Sequence, residues 1–325
     1  MVSLGQTPGA PGAVGVVELS TTVSNLRHLR ASDLAPYDAV YLGNVYCRLY
    51  EGNLLERPAE LREAIRLVRA RGKRPRLTTY AAARNDTLPA IRSALEVAAA
   101  EGADAVEVHA LGLLTLARDE FPGLRLHVGN FANVYTDAAV EALAPFGVAR
   151  ITPSHELTLA ELDALAEAGG VPLEIPVHGK LPLGVSDSCV LLDHAAAWGV
   201  ACPDLCQREV FLRKEADWAL KSVGKGILSG RDVCLLEHLP RLLAAGHRHF
   251  RIEAVSESPA YRREVGTVYR EALERALAGD GRVEARWWET LRRHARVGLC
   301  NGFYFGHSGM EYLGPAADSI SRSTA

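Results

Sequence analysis

Three of the six cysteines in this chain crowd into one stretch, DSCVLLDHAAAWGVACPDLC at 187–206, as Cys189, Cys202 and Cys206. The N-terminus, MVSLGQTPGAPGAVGVVELS, has neither a basic leader nor an unbroken apolar run, so the expected compartment is the reducing cytoplasm. Disulfides rarely persist there, which leaves metal ligation or plain burial as the uses of grouped thiols. With Cys47 of VYLGNVYC (40–47) as a fourth sulfur, the set could hold a zinc ion or a [4Fe–4S] cluster, and ligand count does not separate the two. Unliganded core thiols are the plainer reading, since free cysteine is among the most buried residue types.

Cys47 precedes the other three by about 140 positions, so only a fold that gathers distant loops at one end can unite them. The chain repeats a short β-branched run followed by an Ala/Leu/Glu-rich helical stretch. Eight strands are expected: VGVVEL (14–19), YDAVYLG (37–43), RLTTYA (76–81), DAVEVHA (104–110), RLHVGN (125–130), ARITPS (149–154), PLEIPVH (172–178) and HFRIEAV (249–255). Strands alternating with helices mean right-handed βαβ units and a parallel sheet, and eight units close most economically as a TIM-barrel-like (β/α)8 fold. An open doubly wound sheet is the alternative, although no G-x-G-x-x-G follows the first strand. One domain is expected over 13–313, with an insertion at about 179–247 that carries the cysteines and a hairpin, EVFLRKEADWALKSV. Tails at 1–12 and 314–325, rich in Gly, Pro, Ser and Ala, are expected to be mobile.

Barrel chemistry sits at the C-terminal strand ends, where this sequence gathers polar side chains. Asn44, Thr79, Asn130, Asn133 and Glu156 are the candidate substrate-binding residues. Glu174, His178 and His155 are the candidate acid–base groups, the first two lying two full strand steps apart and so on one face. For each taken singly, a cap or a loop-satisfying group is the commoner use. A net charge of −3 and a pI near 6.4 argue against a broad nucleic-acid footprint, and no stretch approaches a membrane span. G-x-S-x-G and H-E-x-x-H are both absent, which weakens a hydrolase reading.

The stretches VYLGNVYC, LHVGNFANVYT (126–136), ITPSHELTLAEL (151–162), EIPVHGKLPLG (174–184) and CNGFYFGHSGMEYL (300–313), together with the cysteine trio, resemble the collagenase-like peptidase family. The likeness is greatest to its members that hydroxylate without O2. The resemblance implies a [4Fe–4S] cluster on Cys47, Cys189, Cys202 and Cys206, prephenate as oxygen donor, a role akin to anaerobic ubiquinone hydroxylation, and a second, related chain as heterodimeric partner. Some relatives place a ligand near Cys234, and the match within VYLGNVYC favours Cys47; Cys300 reads as structural. Where many members have an aromatic-Ser-x-Arg-Cys run, this chain has Val185-Ser186-Asp187-Ser188-Cys189, which leaves the substrate open. A peptidase and a non-catalytic, metal-stabilised subunit are the alternatives.

Overall fold

The computed structural model describes residues 16–186, 188–192, 202–206, 210–214 and 218–315. The expected 1–12 tail, most of the 314–325 tail and Asp187 lie outside the described residues.

Alternation decides what each strand carries. β1 (Glu18–Val23) reads ELSTTV, and its Glu18, Ser20 and Thr22 face one way while Leu19 and Val23 join the apolar core on the other. The expected strand at 14–19 followed the apolar run VGVVEL; the observed one starts at Glu18, because its inward residues are polar. α1 (Leu26–Ala31), β2 (Ala39–Leu42), α2 (Pro58–Ala70), β3 (Arg74–Thr78), α3 (Leu88–Ala100), β4 (Ala105–Val108) and α4 (Leu111–Glu120) come next. They lead to β5 (Leu126–Val128), α5 (Asp137–Leu143), β6 (Arg150–Ile151) and α6 (Leu159–Gly169). α6 shows how local sequence sets an element: Thr158 and Glu161 form a reciprocal capping box at its start, and Gly170 ends it at φ +60°.

β7 (Glu174–Val185) runs well past the expected 172–178. After it come a helical turn, α7 (Cys202–Leu205), the antiparallel pair β8 (Phe211–Lys214) and β9 (Trp218–Val223), β10 (Gly226–Cys234) and α8 (Leu239–Ala244). β11 (His249–Glu253), α9 (Pro259–Leu277), α10 (Ala285–His294) and β12 (Leu299–Cys300) complete the order. The expected hairpin is thus present as β8 and β9.

This is a mixed α/β fold around one curled sheet, ordered β6-β5-β4-β3-β2-β1-β11-β7-β10-β9-β8, with β12 beside β10. Pairing is parallel from β6 through to β7 and antiparallel from β7 to β8. The curl brings the two ends of the parallel part together: Ile151 bridges Leu173, just ahead of β7, and its N–H donates to Pro172 O at 3.1 Å. The apolar core lies between this sheet and the helices, with Leu19, Val40, Leu77, Val106 and Phe250 buried against α2, α3 and α9.

One irregularity redirects the candidate site. Along β7 and β11, Pro176 pairs with Arg251 but His178 pairs with Ile252, so Val177 is an extra residue in β7. A one-residue bulge reverses side-chain parity beyond it. Among the described residues no helix is long and apolar enough to cross a membrane.

Candidate functional site

The loop after β2 is shaped by two asparagines. Asn44 Oδ1 accepts from the N–H of Tyr46 at 2.9 Å and of Cys47 at 3.2 Å. Asn53 Oδ1 accepts from Asn44 N at 2.9 Å, and its Nδ2 donates to Cys47 O at 3.0 Å. Asn44 is fully buried, so this candidate substrate-binding residue is committed to holding the loop that presents Cys47.

Cys47 meets the cysteine trio. Cys47, Cys189, Cys202 and Cys206 line one cavity of about 520 Å³, together with Gly224 and Lys225 of the β9–β10 turn. All four are free thiols. Burial raises the pKa of Cys47 and Cys202, and that of Cys206 to about 11, and charge on the neighbouring sulfurs raises each further. Sulfurs that oppose one another's ionisation are what a bound cation relieves. Gly224, at φ +59°, donates its N–H to Cys206 Sγ at 3.2 Å, and a Cβ there would lie 2.3 Å from that of Cys47. Among the described residues no group of three or more His, Cys, Asp or Glu stands ready to hold a single metal ion. The four sulfurs border a chamber rather than a point.

Cys234 is elsewhere, fully buried at the far end of β10 in the main core, where Tyr269 OH donates to its Sγ at 3.6 Å. Burial lifts its thiol to about 11 and that of Cys300, also buried, to about 12. Of the two candidates for the fourth sulfur, the fold brings Cys47 to the trio.

Val45 and Tyr46 form a wall shared by that chamber and a much smaller cleft, about 20 Å³, at the C-terminal strand ends. Thr22, Thr78, Glu107, His109, Asn130, Arg251 and Glu253 line the cleft. Tyr46 packs edge-on to Phe131, which in turn meets the His109 ring. Thr78 Oγ1 donates to Glu107 Oε2 at 3.0 Å and lies 3.1 Å from His109 Nε2, while His109 Nδ1 has no hydrogen-bond partner among the described residues. Arg251 Nη2 donates to Glu107 at 2.7 Å, and the Arg251 cation holds the Glu107 carboxyl below the usual range despite its burial. Glu253 lies 3.5 Å from Arg251, and burial raises its carboxyl to about 7, where it can accept or donate a proton at neutral pH. Of the expected binding residues only Asn130 reaches this cleft.

The others are placed differently. Thr79 spends its hydroxyl on Glu107 O at 3.1 Å. Asn133 is exposed and adopts φ +56°, a left-handed conformation that asparagine tolerates. Glu156, also exposed, accepts from Tyr135 OH at 2.8 Å. His155 is buried beside Phe303, with neither ring nitrogen partnered among the described residues, and burial lowers its pKa to about 4.

Glu174 and His178 do not share a face. Glu174 opens β7 and points into the curled sheet, accepting from Ser20 Oγ and from Tyr41 OH at 2.6 Å, with Arg251 at 3.2 Å, Arg150 at 3.6 Å and Arg76 at 3.9 Å. Those cations hold its carboxyl well below the ordinary range although burial alone would raise it. Beneath it Arg76 grips Glu18 with two bonds of 2.8 Å. Beyond the Val177 bulge His178 points outward, its Nδ1 3.2 Å from Tyr269 OH on α9 and its ring against Tyr261. Burial, with Lys180 and His294 nearby, lowers its pKa to about 3. The expected acid–base pair is therefore an ion-paired interior carboxylate and a neutral core imidazole.

Arg251, Glu253 and Tyr46 were not among the expected residues. The signal for Arg251 and Glu253 lies in HFRIEAV, where they put two charges on one face of the strand.

The chain is 28% identical over 302 residues to an uncharacterized protease of Methanocaldococcus jannaschii, covering 89% of this chain and 73% of that one. It is 24% identical to tRNA hydroxylation protein P of Escherichia coli, covering 91% of this chain and 76% of the relative. To the 23S rRNA 5-hydroxycytidine C2501 synthase of Escherichia coli it is 26% identical, over 82% of this chain and 42% of that protein. The model of peptidase family U32 matches residues 24–313, nearly the whole described chain, and the protein belongs to that family.

Proposed function

We propose that the chain is the UbiV-like component of an oxygen-independent hydroxylase, working with a second, UbiU-like chain and taking its oxygen atom from prephenate. On this reading the parallel strands act as one (β/α)8 barrel joined through Ile151 and Leu173, and the segment between β7 and β11 is an insertion that brings three sulfurs to its C-terminal end. The observation that carries the reading is the shared wall: Val45 and Tyr46 separate four thiols from the charged cleft and touch both. Two relatives named for hydroxylating RNA support the reaction class. No serine or cysteine lines the cleft among the described residues, which counts against proteolysis there.

The donor set suits an iron–sulfur cluster. A zinc ion would need four sulfurs about 2.3 Å from one point, whereas a four-iron cube spreads its ligands around a chamber. Cys47, Cys189, Cys202 and Cys206 would hold it, with the Gly224 N–H supporting Cys206. When bound, such a cluster supplies one-electron transfer. The remaining roles belong to side chains: Arg251 binds a substrate carboxylate, Asn130 orients it, and Glu253 carries the proton. A cleft of about 20 Å³ has room for little more than one water, so admitting a substrate requires the Val45–Tyr46 wall or Pro182 to move.

Anaerobic purification followed by an absorbance spectrum and iron, sulfide and zinc assays tests the proposal. A brown protein whose iron is lost in Cys47→Ala and kept in Cys234→Ala supports it; a colourless protein with stoichiometric zinc overturns it. Turnover with prephenate as the sole oxygen source, together with a UbiU-like chain, separates a catalyst from a scaffold.

A further inference from the structure

A second cavity, of about 680 Å³, shares no lining residue with the thiol chamber or the cleft. β7, β8, β9 and β10 form one side, and the segment from Arg296 to Met310 forms the other. Its volume falls within the range of small-molecule sites. Two features set its chemistry. The floor is aliphatic, with Leu181, Leu183, Leu220 and Val297, and Leu183 and Met310 are left 42% and 45% exposed. The charged part is of one sign: Arg213, Arg231 and Arg296 line it beside Ser229 and Ser308, and no carboxylate does among the described residues.

Three guanidinia on one pocket are unexpected in a chain of net charge −3. The local structure holds them in place. Arg231 Nη1 donates to Met310 O at 2.8 Å, which pins the C-terminal turn as a rim, and Arg213 stacks on the Phe211 ring at 5.3 Å. The Arg213 and Arg231 guanidinia beside exposed apolar surface suit an anion with an apolar body. Guanidinium recognises carboxylate through charge-assisted, often bidentate bonds.

We propose that this cavity is a binding site for an aliphatic carboxylate, its head held by Arg213 and Arg231 and its chain lying on Leu181, Leu183 and Leu220. The site is separate from the thiol chamber and does not depend on what that chamber holds.

Octanoate, octanamide and octylamine offer one apolar body with an anionic, a neutral and a cationic head. In calorimetric titrations of the full chain, octanoate binds at least about tenfold more tightly than octanamide, and octylamine gives no signal. Arg213→Gln and Arg231→Gln each weaken octanoate about five- to tenfold and leave octanamide unchanged. Leu183→Trp, at a partly exposed position, fills the cavity and removes both ligands without touching a guanidinium. Cys47→Ala leaves every value unchanged, whatever becomes of the iron. Equal affinity for acid and amide, no octanoate binding at millimolar concentration, or full binding by Leu183→Trp overturns the proposal.

Discussion

His178→Gln distinguishes a core imidazole from a catalytic one, through a measurement that needs no substrate. The His178 ring is buried between Tyr261 and Tyr269, its Nε2 has no partner among the described residues, and Lys180 and His294 oppose a positive charge there. Its pKa falls from 6.5 to about 3, burial being the largest cause. Because the fold disfavours the proton, the unfolded chain binds it first, and stability drops as pH falls below about 6.5, levelling only near pH 3. At pH 5, 1.5 units below the ordinary value, the penalty is about 2 kcal/mol; at pH 7.5 it is close to zero. The variant lacks this penalty. Whatever His178→Gln costs at pH 7.5, its deficit against wild type must shrink by about 2 kcal/mol at pH 5. His28, His127 and His155, whose pKa values burial also lowers to about 4, 3 and 4, remain in both proteins and cancel. Urea unfolding followed by circular dichroism at the two pH values gives the four free energies. A deficit that stays constant within about 0.5 kcal/mol would refute the reasoning, because it would mean that His178 exchanges protons as freely in the fold as out of it.

Glu174→Gln leaves Arg251, Arg150 and Arg76 facing one carboxylate fewer inside the sheet, and should cost about 3–5 kcal/mol in urea unfolding at neutral pH; a loss below about 1 kcal/mol contradicts the network. Gly224→Ala and Gly72→Ala pay similar left-handed strain at φ +59° and +71°, but only the first drives a Cβ into Cys47. If the chamber holds the proposed cluster, iron content should fall in Gly224→Ala and hold in Gly72→Ala, and equal iron in both refutes a chamber built around that glycine. Glu253 keeps its proton to about pH 7 in the fold against 4.5 ordinarily, so the stability tied to it is lost as pH rises from 4.5 through 7. Glu253→Gln should gain on wild type between pH 5 and pH 8 in unfolding experiments, and parallel curves dispose of the raised pKa.

The repeating βα rhythm is legible because it is written in apolar periodicity, and each expected strand overlaps an observed one, though 149–154 shares only Arg150 and Ile151 with β6 and 172–178 stops well short of the end of β7. β1 was displaced because ELSTTV turns Glu, Ser and Thr inward, which an apolar search passes over. Placing Cys47 and the trio Cys189, Cys202 and Cys206 on loops at one end of the sheet predicts that they approach one another, and the four line one cavity. The acid–base pair failed for a reason invisible in sequence. Glu174 and His178 are four apart, which puts them on one face only while the ladder is regular, and the extra Val177 turns His178 outward. The polar strand-end residues divided in the same way. Asn44 and Thr79 face backbone groups that need partners, while Asn130 faces the cleft, and composition does not distinguish these environments.

Charge balance inside the sheet explains why Glu253 is the carboxyl whose pKa is raised toward neutrality. Glu18, Glu107 and Glu174 face Arg76, Arg150 and Arg251, three against three. Arg251 serves several partners at once, at 2.7 Å to Glu107, 3.2 Å to Glu174 and 3.5 Å to Glu253. The longest contact goes to Glu253, and the negative charges on Glu107 and Glu174 further oppose its ionisation. The same cation that fixes two carboxylates as permanent anions therefore has least left for the third. A proton near neutrality at Glu253 is a consequence of how the interior is paired, so it should respond to Glu174→Gln, which both frees Arg251 and removes a neighbouring negative charge. The Glu253 pKa then falls, and a titration of that carboxyl unchanged by Glu174→Gln would break the link between the interior network and the cleft.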